Sequence, residues 1–258
     1  MLASLRAAWR YRDLVRNLVA RDLRVKYKGS SIGFAWSLVH PIVLAAVYTL
    51  AFTFILDVRV PYFPAFVLSG LLPWNCFSGS LLQATGSVAD NSSLVRKVAF
   101  PRIILPVGTV LSQFTQFGLM YVVIVPIAAA LGPGLSPALV ALVPLLLLQL
   151  AFTMGVALLT STAYVYFRDT GHLVEVALQI WFWLTPVVYA IALVPEAWRG
   201  LFWLNPMAGF VTAYQRIVIE GAWPPPVGTA ALAGVAVATG AIGLAVFARH
   251  QRRFAELV

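Results

Sequence analysis

Charge is scarce in this sequence. Asp, Glu, Lys and Arg make up only 10% of its 258 residues, where an ordinary soluble domain carries roughly a quarter. With 61% of the residues hydrophobic, a soluble chain of this length has nowhere to bury the apolar surface, whereas a bilayer accommodates it. A single cysteine, Cys76, excludes an internal disulfide framework. The three histidines, His40, His172 and His250, stand alone, with no metal-ligand spacing. Phosphate loops of the G-x-x-x-x-G-K-[ST] type, G-x-G-x-x-G turns, H-E-x-x-H and paired buried carboxylates are all missing, so no enzyme site, cofactor site or metal site is expected. The first 29 residues are charged throughout and contain no apolar core followed by small residues, so a cleavable signal is not expected there.

The hydrophobic residues are gathered into runs. About 20 apolar residues carry a helix across a ~30 Å hydrocarbon core, and six segments meet that test: 30–56, 63–88, 103–131, 138–167, 173–193 and 227–248. Glu175 is the only Asp, Glu, Lys or Arg inside them. Backbone groups in lipid must bond internally, so these runs predict an all-α polytopic membrane protein with six transmembrane helices. Internal prolines at 41, 73, 106, 126, 144 and 186 predict kinks. A further apolar stretch, 196–220, holds Glu196, Arg199, Arg216 and Glu220 and is broken by Asn205-Pro206. Each half is too short to cross, which favours a re-entrant helical pair before the last span over a seventh span.

The net charge of +9 is organised by these spans, which argues against nucleic acid as a partner. With six spans, one side receives 15 of the 18 Lys and Arg residues and the other only Arg59, Arg199 and Arg216. The basic side is cytoplasmic, so both termini are expected there. The chain divides into a cytoplasmic amphipathic segment 1–29, a six-span domain 30–248 and a basic cytoplasmic tail 249–258.

Three features point to function. In segment 9–28, Arg10, Asp13, Asn17, Arg21, Arg24 and Lys28 share one helical arc, opposite Tyr11, Leu14, Val15, Leu18 and Val25. That pattern suits a helix lying in the membrane interface, in contact with lipid; a solvated face that merely sets topology is the plainer alternative. The loop 90–102 predicts a short helix, opened by Asn91 or Ser92, with an exposed apolar edge (Leu94, Val95, Val98) and a basic edge (Arg96, Lys97), the form of a docking element. Aromatics crowd the first and fifth spans and the re-entrant pair. Interfacial anchoring explains most of them. Stacking on sugar rings is the sharper explanation for Tyr48, Phe52, Trp181 and Tyr189 as lining of a passage, with the pair carrying Trp198, Trp203, Asn205 and Pro206 as its outer lid. Small residues recur at 230, 234 and 238 and at 236 and 240, a spacing that permits close helix approach within one chain or between two. The spans lack the ionisable groups on which gradient-driven carriers rely, so uphill transport would draw energy from a separate subunit. A membrane enzyme acting on lipid-linked sugar would need acidic or histidine groups at a membrane face, where Asp57, Glu196 and Glu220 are the only outer acids.

Five stretches carry a family resemblance: Arg21-Asp-Leu-Arg-Val-Lys-Tyr-Lys-Gly-Ser-Ser-Ile-Gly-Phe-Ala-Trp36; Val95-Arg-Lys-Val-Ala-Phe-Pro-Arg102 with Leu105-Pro106; Tyr166-Phe-Arg-Asp169; Phe182-Trp-Leu-Thr-Pro-Val-Val-Tyr189; and Leu204-Asn-Pro-Met207. Over nearly its full length the chain resembles the permease subunits of type-2 ATP-binding-cassette exporters for O-antigen, capsule and teichoic acid. The resemblance implies a homodimer in the bacterial inner membrane, bound to two cytoplasmic ATPases that hold the ATP and Mg and carrying no ATPase site itself. It implies an interface helix at 9–28 (Arg10, Arg21, Arg24, Lys28), a coupling helix at 91–98 (Asn91, Leu94, Val95, Arg96, Lys97, Val98) and periplasmic gate helices at 196–220. The implied cargo is lipid-linked polysaccharide, of O-antigen type first, with teichoic acid, capsule or a small lipophilic compound as alternatives.

Overall fold

A computed structural model of the chain describes residues 11–29, 32–58, 60–97, 100–131 and 134–257. Those residues form helices joined by short turns, with no strand among them. In order they are α1 (Arg12–Tyr27), α2 (Ala35–Thr49, continued by a wider π turn, Leu50–Ile55), α3 (Phe63–Gly86), α4 (Ser92–Lys97), α5 (Ile104–Leu131), α6 (Leu142–Tyr166), α7 (Thr170–Trp183), α8 (Glu196–Phe202), α9 (Pro206–Gln215, continued by a π turn, Arg216–Glu220), α10 (Pro226–His250) and α11 (Phe254–Leu257).

Five helices among the described residues are long and apolar enough to cross a bilayer: α2 with its π turn, α3, α5, α6 with the 3-10 turn before it, and α10. The predicted fifth span, 173–193, is not among these five, because it is not one continuous helix. Its helix α7 has 14 residues, about 21 Å at 1.5 Å per residue, which falls short of a ~30 Å core. After Trp183 the chain turns at 184–186 and continues without regular structure to the 3-10 turn Ile191–Leu193. Pro186 cannot donate to a helix, and the apolar run conceals that break.

α3 is the axis of the fold. It packs against α2, α5, α6, α7 and α9, and 78% of its most apolar window is buried, against 11% for α2. α2 and α7 are therefore peripheral, and their apolar residues Ile42, Val43, Val47, Leu173, Val176 and Ile180 stay exposed. Lipid is as apolar as these side chains, so their exposure costs nothing there.

α6 and α10 form the most extensive pair. Glycine makes their approach possible: a Cβ on Gly155 would stand 2.6 Å from the Gly240 nitrogen, and one on Gly243 would stand 2.9 Å from Gly155 Cα. On the same helix as Gly240, Ala236 is fully buried in the main core. The 236/240 spacing is thus used within the chain, while Gly234 has nothing within 4 Å.

Candidate translocation core and coupling face

The break after α7 carries the chain into the core. Thr185, Val187 and Val188 are buried in non-helical backbone, which a membrane interior tolerates only where protein groups satisfy it. Two side chains do so. Gln215 Nε2 donates to Pro186 O at 2.9 Å. Asn205 Nδ2 donates to Leu184 O at 2.9 Å and Thr185 Oγ1 at 3.0 Å. Asn205 Oδ1 meanwhile caps α9, accepting from Met207 N at 3.0 Å and Ala208 N at 3.3 Å, and also accepts from Trp181 Nε1 at 2.7 Å. One asparagine thus ties the end of α7, the irregular segment and the start of α9 together. Pro206 follows at the first helical position, where its missing N–H is no loss. Gly70 completes the fit, because a Cβ there would lie 2.6 Å from Val187 O.

The segment expected to form a re-entrant pair folds as two short helices, α8 and α9, with unlike positions. α9 is a core helix, its Met207, Phe210, Val211 and Tyr214 all buried. α8 lies outside, exposing Trp198, and Trp203 just beyond its end is exposed as well. Arg199 anchors α8, donating to Val194 O at 2.8 Å and Ala192 O at 2.9 Å.

The four aromatics expected along a passage are all half-buried against the main core, in two separate groups. Tyr48 and Phe52 join a series of rings with Phe63 and Phe66, at centroid spacings of 6.5, 5.8 and 6.0 Å. Trp181 meets Phe77 edge-on at 5.2 Å, and Phe77 stacks on Phe152 at 5.6 Å. Tyr189 donates from its hydroxyl to Trp183 O at 2.7 Å. No ring contact given by the structure links the first group to the second.

At the other end of the bundle, α1 packs along α5. Val15 is buried there, and Leu18 lies where a Cβ on Gly108 would touch it at 3.5 Å. Leu14 and Val25 remain exposed on the adjoining sector, and Arg24 and Lys28 beyond them. The helix therefore has three sectors, one on protein, one apolar and open, one basic, which suits a helix held at a membrane surface. Arg21 is paired with Asp22 at 3.0 Å. Arg10 lies outside the described residues.

The docking edge expected on α4 needs correction at Val95. That side chain is only 3% exposed, inside a cluster with Val88, Ile103, Leu158, Phe247 and Phe254. It pins α4 to the bundle and is not itself open to a partner. Asn91 donates from Nδ2 to Ser87 O at 2.8 Å, closing the end of α3, while its own carbonyl receives Val95 N at 3.0 Å. The side chains of Leu94, Arg96 and Lys97, and residue Val98 altogether, lie outside what is described. Phe254 of α11 is fully buried against the same cluster, and Arg102 donates through Nη1 to Gln251 O, so the chain end folds back beneath α4. Val95→Asp is expected to cost several kcal/mol, as burial of an unpaired carboxyl does. Hydrogen exchange should show α4 and α11 loosened together; loosening of neither would remove Val95 from this role.

Buried glutamines form a set that the search for ionisable groups passes over. Gln149 is wholly buried and donates to Pro73 O at 2.8 Å. Gln116 donates to Ser37 Oγ at 2.8 Å and accepts from Lys26 Nζ at 2.7 Å. With Gln215, they are legible as lone carboxamides inside apolar runs.

Residues 13–219, from α1 to the end of α9, match the family described as ABC-2 type transporter. The chain belongs to that family. It is similar over its whole length, at 34% identity and with all of the relative covered, to the O-antigen export system permease protein RfbA of Myxococcus xanthus. A permease of the same name from Klebsiella pneumoniae is 29% identical, over 95% of each chain. The polysialic acid transport protein KpsM of Escherichia coli is 22% identical, over 90% of this chain and 92% of its own. This ABC-2 permease is a multi-pass membrane transporter, and α10 and α11, beyond the matched 13–219, fall within the full-length similarity to the Myxococcus protein.

Proposed function

We propose that the chain is the membrane-spanning subunit of an ATP-driven exporter that moves lipid-linked polysaccharide, of O-antigen type, out of the cytoplasm across the bacterial inner membrane. The full-length similarity to a permease named for O-antigen export carries this reading. The near absence of charged residues from the spans supports it, because a chain without intramembrane ionisable groups has no means of its own to use an ion gradient. Two cytoplasmic ATPase subunits supply the energy, binding ATP and Mg and pressing on the α4 region. A second copy of the chain completes the passage, and the exposed apolar faces of α2 and α7 are available to it or to lipid. Both termini and α4 face the cytoplasm, in keeping with the basic residues there, and α8 and α9 close the outer side. Co-reconstitution with the partner ATPase tests this reading. Export of lipid-linked polysaccharide is expected only with both subunits and hydrolysable ATP. Export by the permease alone under a proton gradient would overturn it.

A further inference from the structure

A cavity of about 490 Å³ opens among α1, α2, α3 and α5, at the end of the bundle that carries α1. Lys26, Ser37, His40, Asn75, Gln113 and Gln116 are among its polar lining residues. So many carboxamides in one place are unusual among spans this apolar. Among the described residues, no Asp or Glu lines it. The ammonium of Lys26 is the only formal charge among the described lining residues, and the partner the structure gives it is the neutral Gln116 Oε1 at 2.7 Å. The nearby acid on its own helix, Asp22, is bound by Arg21. Partial burial lowers the Lys26 pKa from its ordinary value, while the residue keeps an exposed surface through which a ligand can reach it. Gln116 is turned by Ser37, so a hydrogen-bonded row runs from the cation into the bundle.

An ammonium held by a neutral amide, ringed by N–H donors and free of carboxylates, is set up for an anion that also carries hydroxyls. We propose that this cavity is the subsite for the phosphorylated head of the lipid-linked saccharide, with Lys26 contacting phosphate and the carboxamides contacting the phosphate or its first sugar. The proposal rests on the export reading above. The position fits the chemistry: the lining comes from the first turns of α2, the later turns of α3 and the middle of α5. A phosphate at headgroup depth can reach it while the lipid tail stays in the bilayer.

The test is equilibrium binding of a radiolabelled polyprenyl-pyrophosphoryl disaccharide to the full chain in nanodiscs of zwitterionic lipid, beside export by the reconstituted complex. Lys26→Gln should weaken binding roughly ten-fold or more, the usual scale for losing a charge-assisted bond. Lys26→Arg should retain most of it, which excludes simple misfolding. Arg252→Gln, at an exposed cation in the tail and away from the cavity lining, should leave it unchanged. Inorganic pyrophosphate should compete weakly and added phosphatidylglycerol hardly at all. Wild-type binding and an unchanged export KM in Lys26→Gln would overturn the subsite while leaving the export reading intact. Full displacement by phosphatidylglycerol would also overturn it, making the cavity a lipid site. Absence of export from the wild-type complex would remove the export reading, and the subsite with it.

Discussion

Asn205→Ala is expected to produce a permease that inserts but no longer holds α9 to the end of α7. The alanine removes an N-cap, worth about 1 kcal/mol. It also takes away the acceptor of Trp181 Nε1 and the donor to Leu184 O, and a buried polar group left unpaired costs about 1–3 kcal/mol. Lipid offers no water to replace these partners, so the loss should approach the upper part of that range. Two graded variants separate the contributions. Asn205→Asp keeps the cap and the Trp181 acceptor while losing the donors to Leu184 and Thr185, so it should fall between wild type and alanine. Trp181→Phe keeps an aromatic ring against Phe77 and removes one bond, so it should be mildest. Thermal unfolding in detergent ranks the three. Hydrogen exchange at 185–188 and in the first turn of α9 should rise in the same order. Equal stability of Asn205→Ala and wild type would show that the asparagine is not the tie its geometry describes.

How far this centre was legible in the sequence depends on what each signal measures. Hydropathy located the five long helices, because lipid exposure and burial both demand apolar side chains. It merged α7 with the segment after it for the same reason: buried Val187 and Val188 continue the apolar run as a helix would, while what distinguishes the segment is where the carbonyls of Leu184 and Pro186 bond. Those bonds end on Asn205 and Gln215, 20 to 30 residues further along the chain, and no local pattern reports such a pairing. Asn205-Pro206 was readable as a helix start from local chemistry alone, since cap and proline act within three residues. Val95 shows the opposite limit. Its spacing from Leu94 and Val98 defines an apolar edge, but that Val95 itself faces its own chain depends on a cluster that includes Phe254, 159 positions away. A charge-based search cannot see the carboxamide-lined cavity either, because only one of its six polar residues named above is a formal cation.

Gly243→Ala is expected to have the largest effect of any single methyl group added to the chain. The new Cβ would stand 2.9 Å from the carbonyl carbon and Cα of Gly155, and closer still to its oxygen. Backbone cannot rotate away as a side chain does, so α6 and α10 must part along their most extensive contact. Overpacking of a tight core costs about 1–3 kcal/mol, occasionally more, and contact with backbone on both sides places this site at the high end. Gly155→Ala meets Thr239 and Gly240 backbone and should behave alike. Because both changes spoil one contact, the double variant should cost less than the sum of the two, the sign of coupled sites. Gly234→Ala is the control, since nothing lies within 4 Å of that position, and alanine is the better helix former by about 1 kcal/mol in an exposed helix interior. It should be neutral or stabilising in the isolated chain. Detergent unfolding of all four proteins tests the set. Gly243→Ala melting with wild type would mean the two helices do not cross at these glycines. A loss at Gly234→Ala that appears only in the assembled complex would instead place the open 230/234/238 stripe against a second chain.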